Sequence, residues 1–205
     1  MTRIVVVTAG LSEPSSTRLL ADRLGAATRQ RLESAGREVA LDQVELRALA
    51  HPIADAMLTG FAAGPLADAV EAVRRADALI VVTPVFSASY SGLFKSFFDV
   101  LEPGLLEGLP VLIAATAGTA RHSLVLEHAL RPLFAHLKAV VVPTAVFAAT
   151  EDFGAGGTGA LHQRVERAAG QLVDLLVGPG PLRSATDPFD DRSEDFTDFA
   201  SLLGT

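Results

Sequence analysis

The sequence predicts an α/β domain in three layers, with a five-stranded parallel sheet in strand order 2-1-3-4-5 and helices on both faces. Three observations carry that expectation. Apolar runs such as Ile4-Val5-Val6-Val7, Leu79-Ile80-Val81-Val82 and Val111-Leu112-Ile113 show no alternation, so both of their faces are covered. Helical patterns separate the runs, as the right-handed crossovers between parallel strands require. The 205 residues, 49% hydrophobic and 20% charged, suit one domain rather than two. Residues 1–177 form that domain in this reading, and residues 178–205 an acidic C-terminal arm with embedded phenylalanines.

The elements follow in order. Arg3–Ala9 is a buried strand, Gly10–Ser16 a loop, and Thr17–Ala35 an amphipathic helix with Leu19, Leu20, Leu24 and Ala27 facing inward. Gly36 stops that helix, and Arg37–Glu45 alternates more, as a strand near a sheet edge does. Leu46–Pro65, punctuated by His51-Pro52, Gly60 and Gly64-Pro65, reads as an irregular excursion with turns. Leu66–Arg75 is a helix whose Asp68 and Arg74-Arg75 agree with the helix dipole. Ala78–Asp99 runs from strand through a small-residue loop into a short helix. Pro84 lacks an N–H and has a fixed φ, so it is expected to end pairing and to turn the backbone of Val85, Phe86 and Ser87 out of the sheet. Pro110–Thr116 is the fourth strand, leading into Ala117-Gly118-Thr119-Ala120 and a helix over Ser123–Lys138. Ala139–Thr144 is the fifth strand, which Pro143 assigns to an edge. Glu151–Gly159 is a flexible loop and Leu161–Val177 the closing helix.

Composition excludes several functions. A net charge of −7, with no basic stripe and no interleaved aromatics, argues against a nucleic-acid partner. With no cysteine, thiolate chemistry, disulfides and Cys-ligated metal centres are absent. The five histidines do not cluster in sequence, and no metal site is expected. No apolar run reaches membrane-spanning length and the chain enters a strand at once, so no membrane association is expected and a cytoplasmic location is.

In an open sheet of this order, ligands bind beyond the carboxyl ends of the strands where the order reverses. Three loops converge there. The first has Ser12, Ser15, Ser16 and Thr17 crowded at a helix start, where an anion gains from free N–H groups and the helix dipole. Those hydroxyls equally suit helix capping, which needs no ligand. The second, Pro84–Tyr90, presents backbone, and the third, Thr116–Ala120, offers small residues against which a flat ring can lie. Together the three favour a flavin mononucleotide, FMN.

PSSTR at Pro14–Arg18, TPVFSASYSGLFKSFFD at Thr83–Asp99 and AATAGTARHSLVLEHALRPLF at Ala114–Phe134 closely resemble the NADPH-dependent FMN reductases of the flavodoxin-like superfamily. The resemblance is nearest to the branch that supplies reduced FMN to luciferase-like two-component monooxygenases. It implies that Ser12, Ser15, Ser16 and Thr17 hold the FMN phosphate. It implies too that Pro84, Val85, Phe86 and Ser87 contact the isoalloxazine through their backbone, and that Thr116, Ala117, Gly118 and Thr119 line its other edge. The chain departs from its relatives in having Ala117-Gly118 for a Gly-Gly pair and Phe86 for a frequent Tyr. The implied reaction passes hydride from NADPH or NADH to FMN; the flavin carries the chemistry and no catalytic side chain is required.

Other functions share parts of this pattern. A quinone or azo reductase with retained FMN shares the fold. A flavodoxin-type electron carrier fits less well, because such proteins stack aromatics on both ring faces and this chain has no Trp and one Tyr. Gly92–Ser96 lacks the first glycine of a phosphate loop, and no G-x-G-x-x-G follows the first strand. His122 beside the third loop suits a cap or the surface, Lys95 and Asp99 suit an intrahelical ion pair, and Tyr90 suits either gating or packing. Leu93, Phe94, Phe97, Phe98 and Val100 give the short helix more apolar surface than one stripe can hide, which points to a homodimer or tetramer; the alternative is that the Met57–Phe61 excursion or the phenylalanines of the arm cover it within one monomer.

Overall fold

The apolar runs that dominate the sequence become the middle of the sheet. A computed structural model of the chain describes residues 1–154 and 158–178; the expected arm, residues 178–205, lies outside the described residues from 179 onward. In chain order the elements are β1 (Thr2–Thr8), α1 (Ser16–Ser34), β2 (Val39–Glu45), a 3-10 turn (Leu46–Leu49), α2 (Ala50–Thr59) and α3 (Pro65–Arg74). They continue with β3 (Ala78–Phe86), β4 (Ser89–Tyr90), α4 (Gly92–Asp99), β5 (Pro110–Ala117), α5 (Arg131–His136), β6 (Val140–Val141), β7 (Val146–Ala149) and α6 (Thr158–Val177).

The sheet order is β2-β1-β3-β5-β6, with β7 also beside β5, and every one of these pairings is parallel. This is the expected 2-1-3-4-5 topology, with β5 as fourth strand and β6 and β7 sharing the fifth place. Alternate residues of each central strand face opposite layers. Val5, Val7, Leu79, Val81, Val111 and Ile113 pack under α2 to α5, while Ile4, Val6, Ile80, Val82, Leu112 and Ala114 pack under α1 and α6, and all twelve are fully buried. Burial on both sides explains the missing alternation in sequence.

Several local expectations are corrected. Leu46–Pro65 is not irregular: it holds the 3-10 turn and α2, because Pro52 falls in the first turn of the helix, where a missing N–H costs nothing. The sheet has seven strands rather than five, because the fifth is split after Val141 and resumes at Val146, and β4 is an added hairpin strand. The gap keeps its polar groups satisfied. Arg131 donates from Nη1 to the Val142 carbonyl at 3.1 Å and from Nη2 to that of Pro143 at 3.0 Å, and the Gln171 side-chain oxygen accepts the Thr144 N–H at 2.7 Å. The helix expected over Ser123–Lys138 starts later, with a π turn at Leu126–Leu130 before α5. Pro132 cannot donate to the preceding turn, which widens there. Leu19, expected to face inward, is 43% exposed, whereas Leu20, Leu24 and Ala27 are buried.

The apolar helix α4 is also covered within the chain. Phe94 and Phe97 are fully buried and Phe98 is 2% exposed. Phe98 stacks on Phe94 at 4.8 Å and edge-on to Phe134 at 5.0 Å, and Ile53 and Ala56 of α2 join the same cluster. The excursion that looked irregular is thus the cover, and α4 itself leaves no aromatic surface for a second subunit.

Candidate active site

The three loops beyond the strand ends are tied together by pairwise contacts. The Ala9 N–H reaches the Val82 carbonyl at 3.0 Å, joining the first loop to β3. Pro84 lies opposite Thr116 in the β3–β5 register, joining the second loop to the third. Thr17 and Thr116 share a hydroxyl hydrogen bond of 2.8 Å, joining the third to the first, and both residues are 2% exposed.

The first loop serves the start of α1. Ser15 is the N-cap and its Oγ accepts the Arg18 N–H at 3.2 Å. The loop closes tightly enough that a Cβ on Gly10 would meet Ser15 Oγ at 2.2 Å, so a larger residue here would have to displace the capping hydroxyl. Ser12 and Ser16 are exposed, whereas Thr17 is buried against Thr116. Of the four hydroxyls assigned to a phosphate, one caps the helix and one holds the third loop, leaving Ser12 and Ser16 open at the helix start.

The second loop is a hairpin. Pro84 does end the parallel pairing with β5, but the strand runs on through Phe86 and folds back, Val85 opposite Tyr90 and Phe86 opposite Ser89. The two turn residues, Ser87 and Ala88, have φ of 49° and 66°. Both central residues left-handed is the two-residue turn whose twist matches the strands, although it is usually made by Asn and Gly. The base is clamped by Thr83, a fully buried residue: its Oγ1 accepts the Ser91 N–H at 3.1 Å and donates to the Pro84 carbonyl at 3.0 Å. Ser91 in turn caps α4 by accepting the Phe94 N–H at 3.1 Å. Phe86 stands 47% exposed at the hairpin, and Pro84 and Val85 are half-buried. Tyr90 packs on Phe94 at 6.0 Å.

In the third loop Thr116 is buried, Ala117 half-buried, and Gly118 and Thr119 exposed. A Cβ on Gly118 would meet nothing within 4 Å, so the space above this loop is open to a flat ring. Open hydroxyls at a helix start, an exposed hairpin and an exposed small-residue loop suit a flavin with its phosphate at α1. His122 lies exposed in a 3-10 turn, and Lys95 pairs with Asp99 on α4. No group of three or more His, Asp or Glu that could hold a metal is found among the described residues.

Sequence reasoning missed Thr83, Ser91 and Gly10, which shape the loops, and Arg47, which reaches the first loop from the 3-10 turn to donate to Glu13 Oε1 at 2.7 Å. The first two carried a signal, a Thr before Pro and a Ser three residues before an aromatic; Arg47 carried none.

Comparison with known proteins agrees with this geometry. Residues 2–154 match the family model described as NADPH-dependent FMN reductase. An FMN reductase (NADPH) from Pseudomonas aeruginosa is 38% identical over 153 residues, 74% of this chain and 78% of that protein. The NADH-dependent FMN reductase SfnE of Pseudomonas putida is 34% identical over 184 residues, 89% of this chain and 96% of its own. The solved structure of an oxidoreductase from Corynebacterium diphtheriae has a TM-score of 0.84 at 48% identity, covering 86% of this chain and 97% of that one. The apo form of an NADH:FMN oxidoreductase, EMOB, has a TM-score of 0.67 at 28% identity, covering 82% and 89%. On the three-loop geometry and a family match spanning most of its length, the chain belongs to the NADPH-dependent FMN reductases.

Proposed function

We propose that the chain is an NAD(P)H:FMN oxidoreductase that passes a hydride from NADPH or NADH to FMN. The observation that carries the reading is the pairwise joining of three strand-end loops, in a member of this family. Ser12, Ser16 and the N–H groups of α1 hold the phosphate, and Ser15, whose Oγ accepts the Arg18 N–H, still has its hydroxyl proton to donate to it. The backbone of Pro84, Val85, Phe86 and Ser87 borders the isoalloxazine, and Ala117, Gly118 and Thr119 line its other edge. Thr17 and Thr116 serve by holding the first and third loops in register. Bound FMN supplies the hydride-accepting ring, and the protein's task is to stack the nicotinamide on it at reaction distance. No side chain is asked to act as acid or base. The test is the absorbance of NADPH, and separately NADH, with and without added FMN; failure of both to reduce FMN refutes the activity.

Reduced FMN released from such a site is a substrate for a flavin-dependent two-component monooxygenase, the partner that the sequence resemblance supports, in the cytoplasm. Assembly as a homodimer or tetramer draws support from Met57, Leu58 and Phe61, which end α2 and its following loop 56%, 87% and 65% exposed. Among the described residues no helix is long and apolar enough to cross a membrane. Light scattering coupled to size exclusion tests the assembly, and a mass near 21.4 kDa at micromolar concentration refutes it.

A further inference from the structure

We propose that Arg47, which comes from outside the first loop, supplies the cationic half of the phosphate subsite, and that Glu13 occupies it until a phosphate takes its place. The inference rests on the FMN reading and deepens it. The first loop, from Ala9 to Ser15, carries hydroxyls and one carboxylate but no basic residue. A phosphate monoester brings a charge of about −1.5 to −2 at pH 7, more than hydroxyls and one helix N-terminus neutralise.

Two guanidiniums border the cleft of about 350 Å³ beside this loop, with Thr8, Gly10, Ser12 and Ser15 also on its wall. They are not equivalent. Arg18 donates from Nε to Asp22 at 2.8 Å and from Nη1 to Glu45, so drawing it away would strand two carboxylates. Arg47 has Glu13 as its carboxylate partner, and the Glu13 side chain is 83% exposed. An exposed pair of this kind is weakly held, and the released carboxylate returns to water. A guanidinium can instead grip a phosphate through two parallel charge-assisted bonds.

The turn that carries Arg47 is firmly seated. Leu46 on one side is fully buried and Leu49 on the other is 8% exposed, so the guanidinium is presented from a fixed base. Three carboxylates, Glu13, Asp22 and Glu45, share the cleft wall. Asp22 and Glu45 are committed to Arg18, and Asp22 also accepts from Gln43 at 3.3 Å. Glu13 is therefore the carboxylate that competes with an incoming phosphate for Arg47.

FMN and riboflavin differ only in the phosphate, so they separate this role from a general structural one. The experiment is equilibrium binding of both flavins to the full chain, followed by flavin fluorescence, for the wild type, Arg47→Met, Arg47→Lys and Glu13→Gln. Arg47→Met is expected to raise the FMN Kd about 10- to 100-fold, the loss of one or two charge-assisted bonds, and to leave the riboflavin Kd within about twofold. Arg47→Lys should fall between, because it keeps the charge and loses the fork. Glu13→Gln should lower the FMN Kd severalfold, a gain that misfolding cannot imitate.

An unchanged FMN Kd in Arg47→Met, or a parallel loss for both flavins, overturns the proposal. So does weaker FMN binding by Glu13→Gln. If the wild type binds both flavins equally, the phosphate subsite falls and Arg47 with it. If FMN is bound in the pattern above but neither nicotinamide reduces it, the reductase reading fails while the Arg47 assignment stands.

Discussion

The hydroxyl pair between Thr17 and Thr116 offers the sharpest test of how the site is built. The two residues are 99 positions apart and are joined at 2.8 Å, each 2% exposed. Replacing one by Val keeps its shape and leaves the other hydroxyl buried without that partner, at a cost of about 1–3 kcal/mol. Replacing both removes the stranded group, and the double variant is expected within about 1 kcal/mol of the wild type. A cycle of wild type, Thr17→Val, Thr116→Val and the double variant, measured by urea denaturation, should therefore show a coupling of about 2–6 kcal/mol, the two single losses together, when the double variant matches the wild type. The flavin readout has its own pattern. Each single variant loosens the register of two loops, so FMN and riboflavin should weaken together, unlike the phosphate-selective loss expected at Arg47. Effects on stability that add to within about 0.5 kcal/mol would show that the hydroxyls act independently and refute the pairing.

Three further outcomes follow from single features. Ala88→Gly should raise the thermal midpoint by about 1–4 °C, since relief of about 1–2 kcal/mol of left-handed strain outweighs about 0.5–1 kcal/mol of glycine entropy; a lower midpoint would contradict the turn assigned to Ser87 and Ala88. Thr28 is fully buried on α1 and its Oγ1 has no hydrogen-bond partner among the described residues, so Thr28→Val should stabilise by about 1 kcal/mol in urea, and a loss would reveal a partner for the hydroxyl. The Arg131 guanidinium, chiefly through its hydrogen bond, holds the Glu127 carboxyl below its ordinary pKa of 4.5. With the folded value depressed, the pair's contribution is present above that ordinary value and is lost as pH falls through the folded one. Because the Glu127 side chain is half-exposed, wild type and Glu127→Gln should differ by under about 1 kcal/mol at pH 7 and converge as the pH is taken well below the ordinary carboxylate value; a gap that stays constant on acidification would contradict the sign.

The legible parts of the fold were those whose cause is local. Ile4–Val7 and Leu79–Val82 declared burial on both faces by composition alone, and Gly36, with φ of +73°, marked the end of α1 as a glycine stop should. What escaped depended on distant partners. The break between Val141 and Val146 is tolerated because Arg131 and Gln171 satisfy its backbone, and neither belongs to the strand. The second loop could not be recognised as a hairpin because Ser87-Ala88 lacks the Asn-Gly signature, and register with Ser89 and Tyr90 imposes the left-handed turn. The cover of α4 is not legible in sequence for the same reason: its phenylalanines have no sequence neighbour to bury them, and Phe134 and α2 arrive from elsewhere. The site was legible as a set of loops, whereas the division of its hydroxyls into holders of structure and open donors is a property of the assembled strand ends.

That division bears on how a ligand enters. Thr17 with Thr116, Ser15 with the Arg18 N–H, and Thr83 with Ser91 are each satisfied by protein before any ligand arrives, so the geometry they set needs little ordering on binding. Thr17, Thr116, Thr83 and Ser91 are also buried, which makes exchange of these partners costly. The Arg47–Glu13 pair differs in both respects: it is ionic, and its carboxylate faces water. A ligand that brings its own negative charge can displace Glu13 without disturbing a buried bond. The buried part of the loop scaffold is thus set before any flavin arrives, and in the reading proposed above the Arg47–Glu13 contact at the rim is the one that exchanges when a ligand brings a phosphate.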